Sequence, residues 1–207
     1  MNNLRVKIFV IFSYFFIISC AQNPNIIPSS YSTVFTLIAN SMLNEEDGLS
    51  AEVIADIPYA SSLINFKNSS KSLIILQSKN NDIYTWVSSD NRVFLTESGR
   101  VISTIGLPND LYKIEKPEIT FNEILSNQGL SYVAYYSFKK PELINLRVEV
   151  VVKVLGREKI DILGQEKDLI LVEENLISRR INWKGKNRFW VDPKTYYVWK
   201  SEQSISP

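Results

Sequence analysis

The clearest structural pattern in the chain is Arg147-Val148-Glu149-Val150-Val151-Val152-Lys153-Val154. Every even-numbered position in it is valine, and the odd-numbered positions are mostly charged. Successive side chains of a β-strand point to opposite faces, so this alternation indicates a strand with one buried and one solvated face. Residues 131–138 have the same period of two, with Tyr132, Ala134, Tyr136 and Phe138 on one face.

Further short β-rich runs lie on both sides of these two strands. They cover residues 73–76, 83–87, 92–96, 100–105 and 188–191, and turn signals separate them. Asp192-Pro193-Lys194-Thr195 predicts a β-turn that joins residues 188–191 to residues 196–199 as a hairpin. Gly156, Gly164 and Gly185 are predicted to lie in turns between strands.

The connections are too short for parallel crossovers, so the sheet must be antiparallel. About ten strands in sequence order tend to curl, and closure removes exposed sheet edges. The sequence therefore predicts a mainly β fold, an antiparallel meander that closes into a partly open β-barrel. Helical patterns are predicted only over residues 31–43 and 51–56, ahead of the strands, and around residues 121–125.

The start of the chain reads as an export signal. Arg5 and Lys7 precede the apolar residues 8–18, a run of about 11 residues that is shorter than the roughly 20 needed to span a bilayer. The run ends in Ile17-Ile18-Ser19-Cys20, which resembles the lipobox of bacterial lipoproteins. In that motif the cysteine thiol is acylated and becomes the mature N-terminus, so Cys20 is the predicted lipidation site.

This interpretation divides the chain into three parts. Residues 1–19 form a lipoprotein signal peptide, residues 20–30 the lipidated N-terminus and tether, and residues 31–207 one β-barrel-like domain. Each buried methylene of an acyl chain contributes roughly 0.8 kcal/mol, so two or three chains would hold the protein on a membrane. Residue 21 is alanine and not aspartate, which in lipoproteins implies the outer membrane of a Gram-negative cell, here facing the periplasm.

The composition excludes several kinds of chemistry. Histidine is absent and cysteine occurs once, which rules out a histidine-based triad, a His/Cys zinc site and an intrachain disulfide. Removing Arg5 and Lys7 from the 23 basic residues leaves 21 against 22 acidic ones, so no net field attracts nucleic acid. We identify no catalytic residue, metal ligand or cofactor site.

Two groups of side chains are candidates for binding a glycan or a partner protein. Tyr59, Trp86, Trp183, Trp190 and Trp199 lie on or beside predicted strands, and of these Trp86 and Trp190 are the strongest candidates. Aromatic rings can bind the apolar faces of sugars, but they also fill cores. The second group is basic and surrounds the expected turn at residues 183–186: Arg179, Arg180, Lys184, Lys186 and Arg188. It would attract an anionic polymer or, alternatively, form a solvated hairpin tip.

Several local sequences together resemble a known family, the group 4 capsule or YjbF-type exopolysaccharide lipoproteins. They are Ile57-Pro58-Tyr59-Ala60-Ser61, Thr85-Trp86-Val87-Ser88-Ser89-Asp90, Thr96-Glu97-Ser98-Gly99-Arg100-Val101, residues 104–111, residues 187–195 and Val198-Trp199-Lys200-Ser201. One departure is Tyr196, which follows the predicted turn where the family commonly has glycine. Residues 112–182 match only in pattern.

The resemblance implies an outer-membrane lipoprotein with a barrel-like fold and no established enzymatic activity. Its expected role is non-enzymatic assistance in capsule or exopolysaccharide production or export. It would act by its position at the membrane and by binding export or assembly proteins or glycan. Two alternatives stay open: a carrier that holds a lipid or lipoprotein acyl chain in a hollow interior, and a polysaccharide-processing enzyme with two converging carboxylates such as Asp56, Asp90, Asp110 or Asp192.

Overall fold

The structure, a computed structural model, describes Ile54, residues 57–66 and residues 71–207. The expected leader, the tether with Cys20 and the helix over residues 31–43 lie outside the described residues. Of the predicted helix over residues 51–56 only Ile54 is described, and it is helical. Within the described part of the chain there are eleven β-strands and very little helix, which confirms the predicted mainly β class.

The strands form two antiparallel sheets, and each sheet is a meander in sequence order. The five-stranded sheet contains β1 (Ser61–Asn65), β2 (Lys71–Asn80), β3 (Ile83–Ser88), β4 (Val93–Glu97) and β5 (Arg100–Ile105). The six-stranded sheet contains β6 (Leu111–Glu115), β7 (Gly129–Phe138), β8 (Leu143–Ile162), β9 (Gln165–Ser178), β10 (Trp183–Val191) and β11 (Val198–Glu202). Both sheets curl, so each resembles half of a barrel.

The main core lies on the valine face that the sequence predicts. Val148, Val150 and Val152 of β8 are all nearly inaccessible, while Val151 on the other face is exposed. Opposite Val148 and Val150 in the sheet register lie Ala134 and Tyr132 of β7, whose alternation places them on the same face. Burial of these apolar side chains is the dominant favourable contribution to the fold.

A short helix, α1 (Phe121–Ser126), closes one side of this core. Thr120 and Glu123 form a capping box: the Thr120 side chain accepts from the Glu123 N–H, and the Glu123 carboxylate accepts from the Thr120 N–H at 2.8 Å. These backbone and side-chain hydrogen bonds lower the pKa of Glu123. The helix then buries Phe121 and Ile124, so the expectation of a helix near residues 121–125 is confirmed.

The two sheets are joined by contacts that cross from β5 to β9 and from the β4–β5 turn to β11. Arg100 at the start of β5 binds Glu174 of β9 inside the protein. Gly99 lies in the β4–β5 turn, directly before Arg100, and has φ +78°. A Cβ at that position would lie 2.5 Å from Cβ of Val198 on β11. Gln203 adds two further links, since it accepts from the Val101 N–H and donates to the Gly99 carbonyl.

Two of the three glycines expected in turns lie elsewhere. Gly156 lies inside β8, at a register shift of the β8–β9 pairing, and the strand continues to Ile162. Gly185 lies inside β10, where a Cβ would meet Ser204 at 3.0 Å and Trp183 at 3.1 Å. The expected turn at residues 183–186 is therefore wrong, because glycine is needed there for close packing and not for chain reversal. Gly164 does lie in a turn, between β8 and β9.

Candidate functional site

The predicted basic residues lie on β10 and on the turn that precedes it. Lys184, Lys186 and Arg188 alternate along β10 and therefore share one face of the sheet. Arg179 and Arg180 belong to the single 3-10 turn Arg179–Ile181 that joins β9 to β10. The five residues therefore lie in one part of the sheet, three on one face of β10 and two in the tight turn that precedes it.

Carboxylates on neighbouring strands neutralise much of this face. Glu173 of β9 accepts from Lys186 Nζ at 3.0 Å and from Arg188 Nε at 3.2 Å. Burial alone would raise the pKa of Glu173, but hydrogen bonds from Lys186, Arg188 and Asn175 outweigh it and lower that pKa. Arg188 also lies 3.8 Å from Glu202 of β11.

Arg179 is paired as well, through Glu149 of β8 at 3.4 Å. Hydrogen bonding from Arg147 and the charge of Arg179 lower the pKa of Glu149. Among the described residues, Lys184 and Arg180 make no ion pair. The face is consequently a mixed charge network that holds β8, β9, β10 and β11 together, and not a uniformly basic surface.

Trp190 belongs to a small apolar cluster that it forms with residues of the neighbouring strand β9. Its side chain is only 5% exposed and packs with Leu169 and Leu171 of β9. The indole N–H donates to the Glu158 carboxylate at 2.7 Å, and Lys200 Nζ lies 4.3 Å from the ring centroid. With the indole enclosed and its only donor satisfied, core packing accounts for Trp190, and a role as a sugar platform has no support.

Trp86 is in a different position, half-buried on β3 of the first sheet. Its indole N–H donates to Thr96 Oγ1 at 2.9 Å, which fixes the ring orientation. Tyr84, two residues earlier on the same face, stacks alongside with ring centroids 6.3 Å apart and planes 17° apart. Lys79 Nζ lies 5.1 Å from the Tyr84 centroid.

A second aromatic pair lies where the β10–β11 turn enters β11. Tyr197 is 54% and Trp199 40% exposed, and their rings meet edge to face with centroids 5.2 Å apart. Lys167 of β9 places its Nζ 3.9 Å from the Trp199 centroid. Trp199 was one of the aromatic candidates in the sequence, ranked below Trp86 and Trp190, whereas Tyr84 and Tyr197 were not among them. The sequence feature that could have indicated this pair is the aromatic-rich run Tyr196-Tyr197-Val198-Trp199.

The two aromatic pairs belong to different sheets, and those sheets meet beside both pairs, at the β4–β5 turn. Tyr84 pairs with Thr96 near the end of β4, and the following turn places Gly99 against Val198, between Tyr197 and Trp199. Partial burial raises the pKa of Tyr197, and the neighbouring Tyr84 phenol raises it further. We call Tyr84, Trp86, Tyr197 and Trp199 the aromatic shelf.

The turn that carries half of the aromatic shelf has an unusual backbone. Asp192 accepts hydrogen bonds from the N–H groups of Lys194 and Thr195, at 2.8 and 3.0 Å, which lowers the Asp192 pKa. Tyr196 then adopts φ +60°, the left-handed conformation that glycine favours. A residue with a Cβ pays about 1 kcal/mol or more for this conformation.

The interior between the sheets is filled and polar at its centre. Arg100 and Glu174 are 6% and 1% exposed, Asn187 donates to Glu174 at 3.1 Å, and the Arg100 guanidinium lies 4.3 Å from the Phe121 centroid. Beside them, next to Tyr132, is a cavity of about 10 Å³. That volume holds about one water molecule and no acyl chain, so this interior does not favour the carrier hypothesis.

The carboxylates considered for glycosidase chemistry do not converge. Asp90 binds Ser88 and Arg92, Asp110 accepts from Thr104 and from the N–H groups of residues 106 and 107, and Asp192 holds its own turn. Asp56 lies outside the described residues. In the part of the chain that the structure describes, no three Cys, Asp or Glu side chains are grouped so as to hold a metal ion. Nor does any helix of that part reach the length and apolarity needed to cross a membrane.

Comparisons with known proteins agree with the resemblance found in the sequence. Residues 25–207 match the model of a family described as "Group 4 capsule polysaccharide lipoprotein gfcB, YjbF". The "Uncharacterized lipoprotein GfcB" of Escherichia coli strain K12 is 22% identical over 180 residues, which are 86% of this chain and 84% of that protein.

The fold has a solved counterpart. The crystal structure of the hypothetical lipoprotein YmcC from Escherichia coli K12 superimposes with a TM-score of 0.70, at 19% identity, over 86% of this chain and 88% of the other. At this identity the likeness establishes the fold alone. The family match, in contrast, spans nearly all of the chain. The chain therefore belongs to the YjbF family of group 4 capsule polysaccharide lipoproteins.

Proposed function

We propose that this protein is an accessory factor in capsule or exopolysaccharide production or export. Acyl chains on Cys20 anchor it to the outer membrane of a Gram-negative cell, and its β-rich body faces the periplasm. It carries out no reaction itself and acts by its position and by binding export or assembly proteins or the glycan. The family match over residues 25–207 is the observation that carries this proposal.

Three features of the molecule support the non-enzymatic part. Of the four aspartates considered for a glycosidase, the three that the structure describes, Asp90, Asp110 and Asp192, are each engaged in a separate local contact. The interior ion pair of Arg100 and Glu174 is almost fully enclosed, and Glu174 also accepts from Asn187, which disfavours this pair as a site for substrate. The cavity beside it has room for about one water molecule. We therefore assign the role of the protein to its binding surfaces and to its attachment to the membrane.

Anchoring is tested with Cys20→Ser in the cell that carries the gene. The wild-type protein should sediment with outer-membrane fractions, and mass spectrometry should find acyl chains on Cys20 with residues 1–19 removed. The variant should leave that fraction, because serine cannot form the thioether. A variant that stays in the outer membrane, or an unmodified Cys20 in the wild type, contradicts the anchoring mechanism.

The role is tested by deleting the gene and measuring surface and secreted polysaccharide. The amount at the surface should fall, and the wild-type gene should restore it. The Cys20→Ser gene, expressed at the same level, should not restore it, because position at the membrane is part of the mechanism. Unchanged polysaccharide in the deletion strain would refute the proposed role.

A further inference from the structure

We propose that the aromatic shelf is a binding site for an acidic carbohydrate chain, a polymer that carries carboxylate groups on its sugars. This inference rests on the proposed function and names the part of the surface that would contact glycan. It assigns the contact to Tyr84, Trp86, Tyr197 and Trp199, with Lys79 and Lys167 beside them. It replaces the basic residues of β10 as the candidate anion site.

Two of the four aromatic side chains of the shelf are exposed, although the fold has an apolar interior to receive such groups. Tyr197 and Trp199 are 54% and 40% exposed, whereas Trp183 and Trp190 of the same sheet are buried. Flat rings with an apolar face and a polar tip suit the faces of pyranose sugars, which are apolar on one side and carry hydroxyls at the rim. The shelf has such rings on both sheets, near the place where the sheets meet.

The charges of the two lysines beside the shelf are not neutralised by a described carboxylate. Lys79 and Lys167 each lie over an aromatic ring, at 5.1 and 3.9 Å from the centroid, and neither makes an ion pair with a described residue. The nearest acids of β9 are already occupied, since Asp168 binds Arg157 and Glu166 binds Lys159. Hence a sugar carboxylate that reaches the shelf meets two lysines without a carboxylate partner among the described residues, whereas Glu173 already binds Lys186 and Arg188 of β10.

The shelf is also organised in advance, which reduces the entropy lost on binding. Thr96 fixes the Trp86 ring, and Asp192 fixes the turn that presents Tyr197. In that turn Tyr196 occupies a left-handed position that glycine would take without strain, and its side chain is 40% exposed. Backbone strain of this kind is concentrated at functional sites. The strained residue is a tyrosine, which places a third exposed aromatic ring on the hairpin.

A lipid surface and a protein partner are the rival occupants of an exposed aromatic surface. The shelf has two lysines that form no ion pair with any described residue, together with hydroxyl-bearing tyrosines, and none of its four ring residues is an aliphatic side chain that would insert into acyl chains. The rings of Trp86 and Tyr84 are half-buried and stacked nearly parallel, so neither protrudes from the surface as a membrane-inserting side chain does. We therefore commit to the glycan.

The test measures binding of the full acylated chain, in detergent micelles, to oligomers of alginate, a polymer of uronic acids. Isothermal titration should show binding at least tenfold tighter than to neutral dextran oligomers of equal length. Trp199→Ala and Tyr197→Ala should each lose at least tenfold in affinity. Lys167→Gln should lose severalfold and make the remaining affinity less dependent on salt.

Tyr112→Ala is the matched control. Tyr112 is 57% exposed and also lies under a lysine, with Lys139 Nζ 5.8 Å from its centroid, but it belongs to β6 and not to the shelf. This variant should bind as the wild type does. Circular dichroism of every variant separates loss of binding from loss of fold. Equal affinity for alginate and dextran, no binding of alginate, or equal losses in Tyr112→Ala and Trp199→Ala would overturn the proposal.

A second measurement addresses the lipid alternative. The acylated chain is placed in vesicles of phosphatidylethanolamine and phosphatidylglycerol that contain brominated acyl chains, and its emission is compared with that of Trp199→Phe. Quenching of the Trp199 component would assign the shelf to the bilayer and refute the glycan site. If the deletion and Cys20→Ser experiments succeed while alginate binding fails, only this inference is lost and the proposed function stands.

Discussion

Arg100 and Glu174 form a buried ion pair that joins the two sheets. Arg100 Nη2 lies 2.7 Å and Nε 3.1 Å from Glu174 Oε1, and both side chains are almost fully enclosed. Arg100 begins β5, and Glu174 is in the middle of β9. A charge removed from water in this way must be compensated by its partner, so each residue depends on the other.

Removal of one partner should therefore destabilise the protein strongly. We expect Arg100→Met and Glu174→Gln each to lower the free energy of unfolding by about 3–5 kcal/mol, because the remaining group is left buried without its counter-charge. The double variant should lose less than the sum of the two. Urea denaturation of the three variants measures this coupling. Additive losses would show that the pair does not act as a unit.

Alkaline conditions should weaken the fold through two core tyrosines, of which one is buried and the other partly buried. Burial raises the pKa of Tyr132, and the Glu174 carboxylate raises it further, while burial likewise raises the pKa of Tyr136. The unfolded chain releases phenolic protons near pH 10, before the folded chain does, so stability is retained below about pH 10 and falls as the pH rises above it.

The measurement is the urea midpoint from about pH 8 to about pH 11. Tyr136→Phe should show a smaller decline than the wild type, because one of the two groups no longer titrates. Tyr112→Phe removes an exposed phenol with the same chemistry and serves as the comparison. A decline of equal size in Tyr136→Phe and the wild type would count against this explanation.

Gly99 and Gly164 separate backbone strain from steric clash. Both have φ +78°, but a Cβ at Gly99 would lie 2.5 Å from Val198 Cβ, while nothing lies within 4 Å of one at Gly164. Gly164→Ala should lower the free energy of unfolding by the backbone strain alone, about 1 kcal/mol. Gly99→Ala should lower it clearly more, because the contact between the β4–β5 turn and β11 must also widen. Thermal unfolding of both variants gives the comparison. Similar losses would mean that Val198 moves aside freely.

Tyr196→Gly should stabilise the hairpin or leave its stability unchanged. Glycine adopts φ +60° without a steric penalty, and this gain of about 1 kcal/mol is offset in part by the greater freedom of glycine in the unfolded chain. Tyr196→Ala keeps the Cβ and the strain and is the matched control, so it should be the less stable of the two. The melting temperatures of the two variants are compared, and the reverse order would show that the tyrosine ring contributes packing that outweighs the strain.

Lys186→Glu and Lys184→Glu should differ although the two residues share a face of β10. Lys186 binds Glu173, so a carboxylate there meets like charge, and we expect a loss of about 1 kcal/mol. Lys184 has no ion pair with a described residue, and its reversal should change stability by less than about 0.5 kcal/mol. Urea unfolding at low and high salt checks both values. Equal effects would indicate that Glu173 is held by Arg188 alone.

Local pattern predicted the elements well. The alternation along residues 147–154 identifies β8 and its buried face, because period-two patterning is imposed by the pleat and is read within a few residues. Thr120 and Glu123 lie three residues apart at the start of a short helix, and they form the capping box. The Asp-Pro turn likewise joins β10 to β11.

Predictions failed where one residue's role depends on a distant one. Gly185 has the composition of a turn, but Ser204 and Trp183 crowd it inside β10. Trp190 was a candidate platform, yet it is covered by groups from β8, β9 and β11. Lys186 and Arg188 looked like free positive charge until the register placed Glu173 beside them.

Propensity, alternation and turn chemistry act over neighbouring residues, so local pattern was enough to predict a mainly β, antiparallel meander and the short helix near residue 121. The enclosure of Glu174 with Arg100, and the proximity of Tyr84 to Tyr197, depend instead on how the chain folds in three dimensions. Those relationships arise when two curled sheets meet. That event juxtaposes residues far apart along the chain, and no local pattern records which ones will face each other.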